Sequence, residues 1–333
     1  MSRFNQLSRW LPVMVLAPLL AATLGIVQGR AEVYPDRPVK IIVPTPPGGP
    51  VDVIARIVAN YLQGKLGEPF VVENRAGAGN TIGSKDAAEA VPDGHTLLYS
   101  AASGLIIAPL LHPDAGYDPL KSFAPVALVG ATSLILVVNP QLPVKTVPEL
   151  VAYAKANPGK VNFSSGGIGV LPHLIGELFK ARAGIDIVHV PYKGGGPSIN
   201  DVVAGNVQMT FEATSVLAPL IKVDRLRALA VTSPKRIPEL PDVPTMIESG
   251  YPGFVTTAWT GLLAPAHTPQ PIIDKLNAAI NEGLKAPELQ YALTKLSYVP
   301  MGGTPGEFTS TMTADLATWS PIIKSLGLDQ AAK

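Results

Sequence analysis

The sequence contains no cysteine in 333 residues. That excludes a disulfide scaffold, a thiolate metal site, a cysteine nucleophile and a lipidated cysteine anchor. It does not locate the protein, because exported and cytosolic chains can both lack cysteine. Charge is scarce too. Only 15% of residues are charged, and 26 basic against 25 acidic side chains leave a formal net charge of +1. No basic stripe of the kind nucleic acid requires is present, so no nucleic-acid partner is expected. With 47% hydrophobic residues the chain can bury enough apolar surface to fold, and disorder is excluded as its main state. Catalytic signatures are missing as well: there is no G-x-S-x-G elbow, no H-E-x-x-H and no P-loop. His95, His112, His173, His189 and His267 show no metal-ligand spacing. Neither a metal nor a cofactor is therefore expected. Asp52, Glu212 and His173 could be drawn together into a hydrolytic site, but nothing in their spacing orders them. No catalytic residue is assigned.

Beyond the first 27 residues, no apolar run is long enough to span a membrane; Thr132–Asn139 is the next most apolar and has the length of a strand. The N-terminus differs. Arg3 and Arg9 with no acid precede the apolar run Trp10–Val27, and Gly29-Arg30-Ala31 places small residues at the −3 and −1 positions of a cleavage site. This is the layout of a secretory signal peptide, with cleavage expected after Ala31. The alternative is a permanent anchor, which Pro12, Pro18 and the cleavage-like end argue against. Removing residues 1–31 takes away three Arg and no acids, leaving 23 basic and 25 acidic side chains and a charge of −2.

The mature chain alternates short β-branched runs with helical stretches, the pattern of parallel sheets with right-handed crossovers. Strands are expected at Val39–Val43, Phe70–Glu73 and Thr96–Ser100, with helices at Val51–Leu66 and Asn80–Val91 between them. Ala124–Asn139 is a long extended segment. A second set follows, with helices at Val147–Ala156, Leu171–Ala183 and Pro197–Ala204. Its strands are Val161–Ser164, Ile187–Pro191, Val207–Phe211 and Leu226–Thr232. Phe254–Ala264 is again long and extended, and helices at Gln270–Ala286, Glu288–Leu296 and Pro305–Leu326 end the chain. Two long extended segments flanking a self-contained α/β unit predict two lobes with two crossings. Lobe 1 would comprise residues 32–130 and 256–333, and lobe 2 residues 131–255. The competing arrangement is one large doubly wound sheet.

Four strand ends are rich in Gly, Ser and Pro. Pro44-Thr-Pro-Pro-Gly-Gly-Pro50 lies between a strand and a helix whose first N–H groups and positive dipole end are suited to an anion. An ordinary turn capped by Asp52 would look the same. Ser164-Ser-Gly-Gly-Ile-Gly169 leads into a helix carrying His173, which either donates to a carboxylate or is a satisfied core or capping histidine. Val190-Pro-Tyr-Lys-Gly-Gly-Gly-Pro197 has Lys193 as its basic side chain. Ser100-Ala-Ala-Ser103-Gly104 is likewise small and polar. Gly77-Ala-Gly79-Asn-Thr-Ile-Gly83 is one residue too long for a dinucleotide fingerprint. Ligands of open α/β sheets bind beyond the carboxyl ends of strands. These turns therefore predict a cleft lined by N–H and O–H donors with little fixed positive charge, suited to a small organic anion.

Read together, the blocks YPDRPVKIIVPTPPGGPVD, VVENRAGAGNTIGSKDAAEAVPDGHTLLYS, HVPYKGGGPSINDVVAGNV and LPDVPTMIESGYPGF make residues 34–328 resemble a known family. It is that of the periplasmic solute-binding receptors of tripartite tricarboxylate transporters, the Bug family. The resemblance implies an α/β, two-lobed periplasmic-binding-protein (flytrap) fold, each lobe a mainly parallel sheet flanked by helices. It implies a periplasmic monomer that captures a small carboxylate, a di- or tricarboxylate or an aromatic acid, and delivers it to a large and a small membrane subunit. First-lobe contacts then fall on Thr45, Pro46, Gly48, Gly49, Ser100 and Ser103. Second-lobe contacts fall on Ser164, Ser165, Gly167, Gly169, His173, Gly194 and Gly195. Two positions depart from the family pattern. Val170 stands where Ser or Thr is common, which removes a hydroxyl. Glu212 stands where Asp is frequent, and two readings of it are open: it reads an amino or hydroxyl substituent, or it faces Lys193 or solvent. Other roles for the same fold are a ligand-sensing partner of a membrane signalling protein and a secreted α/β hydrolase.

Overall fold

The computed structural model describes residues 34–330, so the predicted export signal lies outside the described residues. Strand β1 (Val39–Val43) is apolar at four of five positions, and those four are buried, as in a parallel sheet covered on both faces. Helix α1 (Pro50–Leu66) begins with Pro50, where a missing N–H costs nothing. It ends at Gly67, whose φ of 91° lets its N–H close on the Gln63 carbonyl. Ile54, Ala55, Val58, Ala59 and Leu62 recur at helical spacing and form its buried face. Strand β2 (Phe70–Asn74), helix α2 (Thr81–Ala88) and strand β3 (Thr96–Ala101) follow, and β2, β1 and β3 pair in parallel. Beyond β3 the chain winds directly into a π-type turn (Ser103–Ile107) and α3 (Ala108–Leu111). The sequence pattern did not mark this helical stretch.

Strand β4 (Phe123–Val138) has 16 residues and so runs roughly 50 Å. Its length is explained by its partners. A second α/β series follows it: α4 (Val147–Ala156), β5 (Val161–Ser165), α5 (Leu171–Ala183), β6 (Ile187–Pro191), α6 (Gly195–Ala204), β7 (Met209–Ala213), α7 (Thr214–Lys222) and β8 (Arg227–Val231). The chain then returns through β9 (Thr257–Pro265), α8 (Gln270–Gly283), α9 (Pro287–Lys295), β10 (Val299–Pro300) and α10 (Pro305–Ser325). From Phe123 to Ser133, β4 pairs antiparallel with β9; from Leu134 to Val138 it pairs antiparallel with β7 and β8. One strand thus belongs to both sheets. Strand β9 also pairs antiparallel with β3, while β5 is parallel to both β6 and β7. The order is β2-β1-β3-β9-β4-β7-β5-β6, with β8 and β10 on β4. Each sheet is therefore parallel at its outer strands and antiparallel where the sheets meet.

The two crossings are stitched together at Thr232. Its N–H donates to the Leu134 carbonyl at 2.9 Å, its hydroxyl bonds the Thr256 carbonyl at 2.6 Å, and Thr256 N–H returns to Thr232 O at 3.0 Å. One apolar core includes Leu98, Leu105, Phe308 and Trp319 with Phe163, Leu174, Phe179 and Phe211. Helix α10 is the shared wall, since it packs on β4, on the π turn and on α5. Its start is capped reciprocally by Thr304 and Glu307, and Asp315 accepts the Trp259 indole N–H at 2.6 Å. Burial raises the Asp315 carboxyl to about 6.

Candidate functional site

The first predicted turn is built around a buried carboxylate. Asp52, 2% exposed, accepts the Gly48 N–H at 2.8 Å, the Asn74 amide at 2.9 Å and the Arg56 guanidinium at 3.1 Å. Burial works to raise its pKa, but the bonds from Arg56, Gly48 and Asn74 outweigh it and hold the carboxyl below its ordinary range. Gly48 has φ 86°, which favours glycine, and its N–H is committed to Asp52 rather than turned to a ligand. Pro46 is exposed and Gly49 is the N-cap of α1. The Thr45 hydroxyl is buried with no hydrogen-bond partner among the described residues. Helix α2 backs this turn at contact distance: a Cβ on Gly83 would lie 2.6 Å from the Arg75 carbonyl and 3.0 Å from Pro44 Cα. At the end of β3, Ser100 is fully buried while Ser103 is exposed.

In the second series the β5 and β6 turns are tied to each other. Gly194 N–H donates to Gly166 O and Tyr192 N–H to Ser165 O, both at 3.0 Å. Ser164 and Ser165 are fully buried. Ser164 pairs with Ser198 Oγ at 2.8 Å; Ser165 Oγ donates to Gly167 O at 2.7 Å and meets His189 Nε2 at 2.7 Å. His173 is 5% exposed, and its Nδ1 accepts the Gly169 N–H at 3.0 Å. Its ring stacks on His189 with centroids 3.9 Å apart. The structure therefore puts His173 beneath the glycine loop, holding it from below, with its remaining proton on Nε2 toward Glu177. Burial lowers the pKa of both imidazoles, and burial together with His173 brings His189 down to about 4. The pair is neutral at pH 7.

The ends of β3 and β7 converge on a small cleft of about 200 Å³. Ala101, Ala102 and Ser103 line it from one side with Ala258 of β9; Leu171, Pro172, Glu212 and Ala213 line it from the other, and Thr132 and Leu134 of β4 form its base. Ser103, just after β3, and Glu212 of β7 are thus brought together from the two α/β series. The Thr45–Gly49 turn, Gly167 and Gly194 are not among these lining residues, and Gly169 meets Leu111 of α3 instead: a Cβ there would lie 3.1 Å from Leu111 Cδ1. A hollow of about 980 Å³ between α4, α7 and β8 is larger. It is lined by the second α/β series alone, whereas strand ends of both series meet at the small cleft.

Glu212 is the charged group of the cleft. Burial raises its pKa, against the N–H of Ala213, which its Oε1 accepts at 2.9 Å. Its Oε2 lies beside the start of α6, 3.3 Å from where a Cβ on Gly195 would stand. Lys193 is exposed, and among the described residues no cation acts on the Glu212 carboxylate. Among the described residues no group of His, Asp and Glu side chains is placed to hold a metal, and no helix is long and apolar enough to cross a membrane.

Residues 54–328 match the model of the tripartite tricarboxylate transporter family receptor, TctC. The chain belongs to this family. BugT of Bordetella pertussis is 39% identical over 317 residues, 95% of this chain and 97% of BugT. Among solved structures, R. palustris Rpa4515 with adipate has 33% identity and a TM-score of 0.70, covering 88% of this chain and 98% of that one. MatC of Rhodopseudomonas palustris with bound malate has 32% identity and a TM-score of 0.67, covering 87% and 100%. The protein is therefore a periplasmic solute-binding receptor of the TctC family with a two-lobed α/β fold.

Sequence reasoning about this TctC-family receptor missed most of the cleft lining. Ala101, Ala102, Leu134, Leu171, Pro172, Ala213 and Ala258 carry no chemical signature. Thr132 did carry one, as a polar residue inside the apolar Ala124–Asn139 run.

Proposed function

We propose that this receptor captures a small carboxylate in the interlobe cleft and delivers it to the large and small membrane subunits of a tripartite transporter. It would act as a monomer exported by its N-terminal signal. Convergence of the β3 and β7 ends on one small cleft supports this reading most directly. The adipate and malate seen in two relatives agree with it. The predicted contacts form two groups. Ser103 and Glu212 line the cleft; Thr45, Pro46, Gly48, Gly49, Ser100, Ser164, Ser165, Gly167, Gly169, His173, Gly194 and Gly195 lie outside that lining and would reach a ligand through closure of the lobes. Helix starts at these turns each contribute about 0.3–1 kcal/mol toward an anion, and up to about 2 when partly buried. A micromolar complex needs about 8 kcal/mol, so turns of both lobes and apolar contact must act together. The role is binding, without turnover. At 100 times Kd a ligand stabilises the native state by about 2.7 kcal/mol, which raises Tm by roughly 5 °C for a chain of this size. A thermal-shift panel of mono-, di-, tri- and aromatic carboxylates tests it; a panel with no shift refutes the proposal.

A further inference from the structure

Glu212 is an unusual group to find in a receptor for anions. Glu212 is half-buried and lines the cleft, and its carboxylate is served by one hydrogen bond, from the N–H of the next residue. Of the two roles the sequence left open, a pairing with Lys193 does not occur, because no cation acts on Glu212. A bound carboxylate brought beside it would add a second negative charge in a poorly solvated space, which costs free energy unless a positive or proton-donating group intervenes. A second, independent observation marks the same cleft as one that receives a polar ligand. Thr132, 7% exposed, lines the same cleft from β4, and its hydroxyl has no partner among the described residues. A buried hydroxyl without a partner loses the hydrogen bonds water would give it, and a ligand donor restores one. The rest of the lining is alanine, leucine and proline with Ser103, so the cleft's polar side chains are one carboxylate and two hydroxyls, with no cation among the lining residues.

We infer that Glu212 is the specificity-determining residue of this cleft and selects carboxylates that also carry an ammonium group, that is, small amino acids. The inference rests on the carboxylate-receptor reading above. An ammonium supplies three donors. One neutralises Glu212 through a charge-assisted bond, and Thr132 is the second unfilled acceptor of the cleft. The ligand's own carboxylate is left for the Ser103 hydroxyl, the other polar side chain of the lining. A volume of about 200 Å³ is below the range of drug-sized pockets, which fits molecules of a few carbons.

The test is calorimetric titration of the intact mature protein with matched pairs that differ only in the ammonium group: aspartate and succinate, glutamate and glutarate, alanine and propionate, phenylalanine and 3-phenylpropionate. For at least one pair the amino member should bind more than about tenfold tighter than its partner. Glu212→Gln keeps the shape and the acceptor for Ala213 N–H but removes the charge, and should weaken the amino member about 10- to 100-fold. The partner, relieved of the repulsion between two carboxylates, should bind as tightly as before or tighter. If deamino members bind as tightly as amino members, or if Glu212→Gln keeps the preference, this inference fails while the carboxylate reading stands. If no member of any pair binds, both fail. The wild-type pairs decide the matter even if the variant proves unstable.

Discussion

The same substitution, Gly→Ala, should have opposite effects on stability at two helical positions, one in α1 and one in α2. Gly83 lies in α2, where a Cβ would meet the Arg75 carbonyl oxygen at 2.6 Å, Pro44 Cα at 3.0 Å and Arg75 Cβ at 3.1 Å. Two of these three atoms are backbone, and Arg75 N–H is itself bonded to Val43 O at 2.9 Å. The helix must move away by several tenths of an ångström, which opens the contact behind the Pro44–Pro50 turn. Overpacking of this kind costs about 1–3 kcal/mol, while alanine returns at most about 1 kcal/mol of helix propensity. The net effect of Gly83→Ala is a loss of about 1–2 kcal/mol. Gly64 is exposed on α1 with nothing within 4 Å of its Cβ position, so Gly64→Ala should gain about 0.5–1 kcal/mol. Urea unfolding followed by circular dichroism measures both, with unchanged m-values showing that midpoints report stability. Two shifts of the same sign would refute the claim that α2 is seated by backbone contact.

Two further predictions concern the turns. Asp52→Ala removes the acceptor shared by Gly48, Asn74 and Arg56 and should cost about 2–4 kcal/mol; urea midpoints check it, and a loss below about 0.5 kcal/mol would show that the turn holds without Asp52. The stacked histidines predict a pH dependence whose sign follows from linkage. Their pKa values are lower folded than unfolded, so the unfolded chain takes up protons first and stability falls as pH drops from about 6.5 toward about 4. For His189 the full shift corresponds to about 3 kcal/mol, and its partial exposure reduces this to about 1–2 kcal/mol. Urea midpoints at pH 7.5 and 4.5 should differ accordingly, and His189→Gln should flatten the slope; an equal slope in the variant would count against the pair.

The fold was legible where the apolar pattern and its flanking breakers agree. Val39–Val43, Val147–Ala156, Leu171–Ala183 and Ile187–Pro191 have the bounds their patterns predict, because apolar run, cap and turn residues agree there. Helix α7 was not legible. It starts at Thr214, one residue after β7 ends, and contains Pro219, so no loop signal separates strand from helix and a breaker sits within it. The π turn after β3 was missed for a similar reason: Ser103–Ile107 follows the strand with one residue between. At the site, legibility followed chemistry. Glu212 and Ser103 stand out in any reading, whereas Ala258 and Pro172 become lining only when β9 and α5 are brought together. His173 shows the limit most clearly. Residue type suggested a donor toward a ligand, yet its Nδ1 lone pair is taken by Gly169 N–H, a contact set by loop geometry.

The place of β9 in the sheet has a consequence for how the chain assembles. Strand β9 lies between β3 and β4, yet it is made after the whole second series, more than 150 residues beyond β3 in the sequence. Until Thr257–Pro265 arrives, β3 has an open edge and β4 lacks its longest partner. Closing that gap brings together segments far apart in the chain, a slow step dominated by loop-closure entropy. The second series, whose strands all fall between Leu134 and Val231, has every strand partner it needs before β9 is made. The nascent chain would thus hold one finished half and one waiting half, kept soluble only as long as its unpaired strand edges meet no other copy.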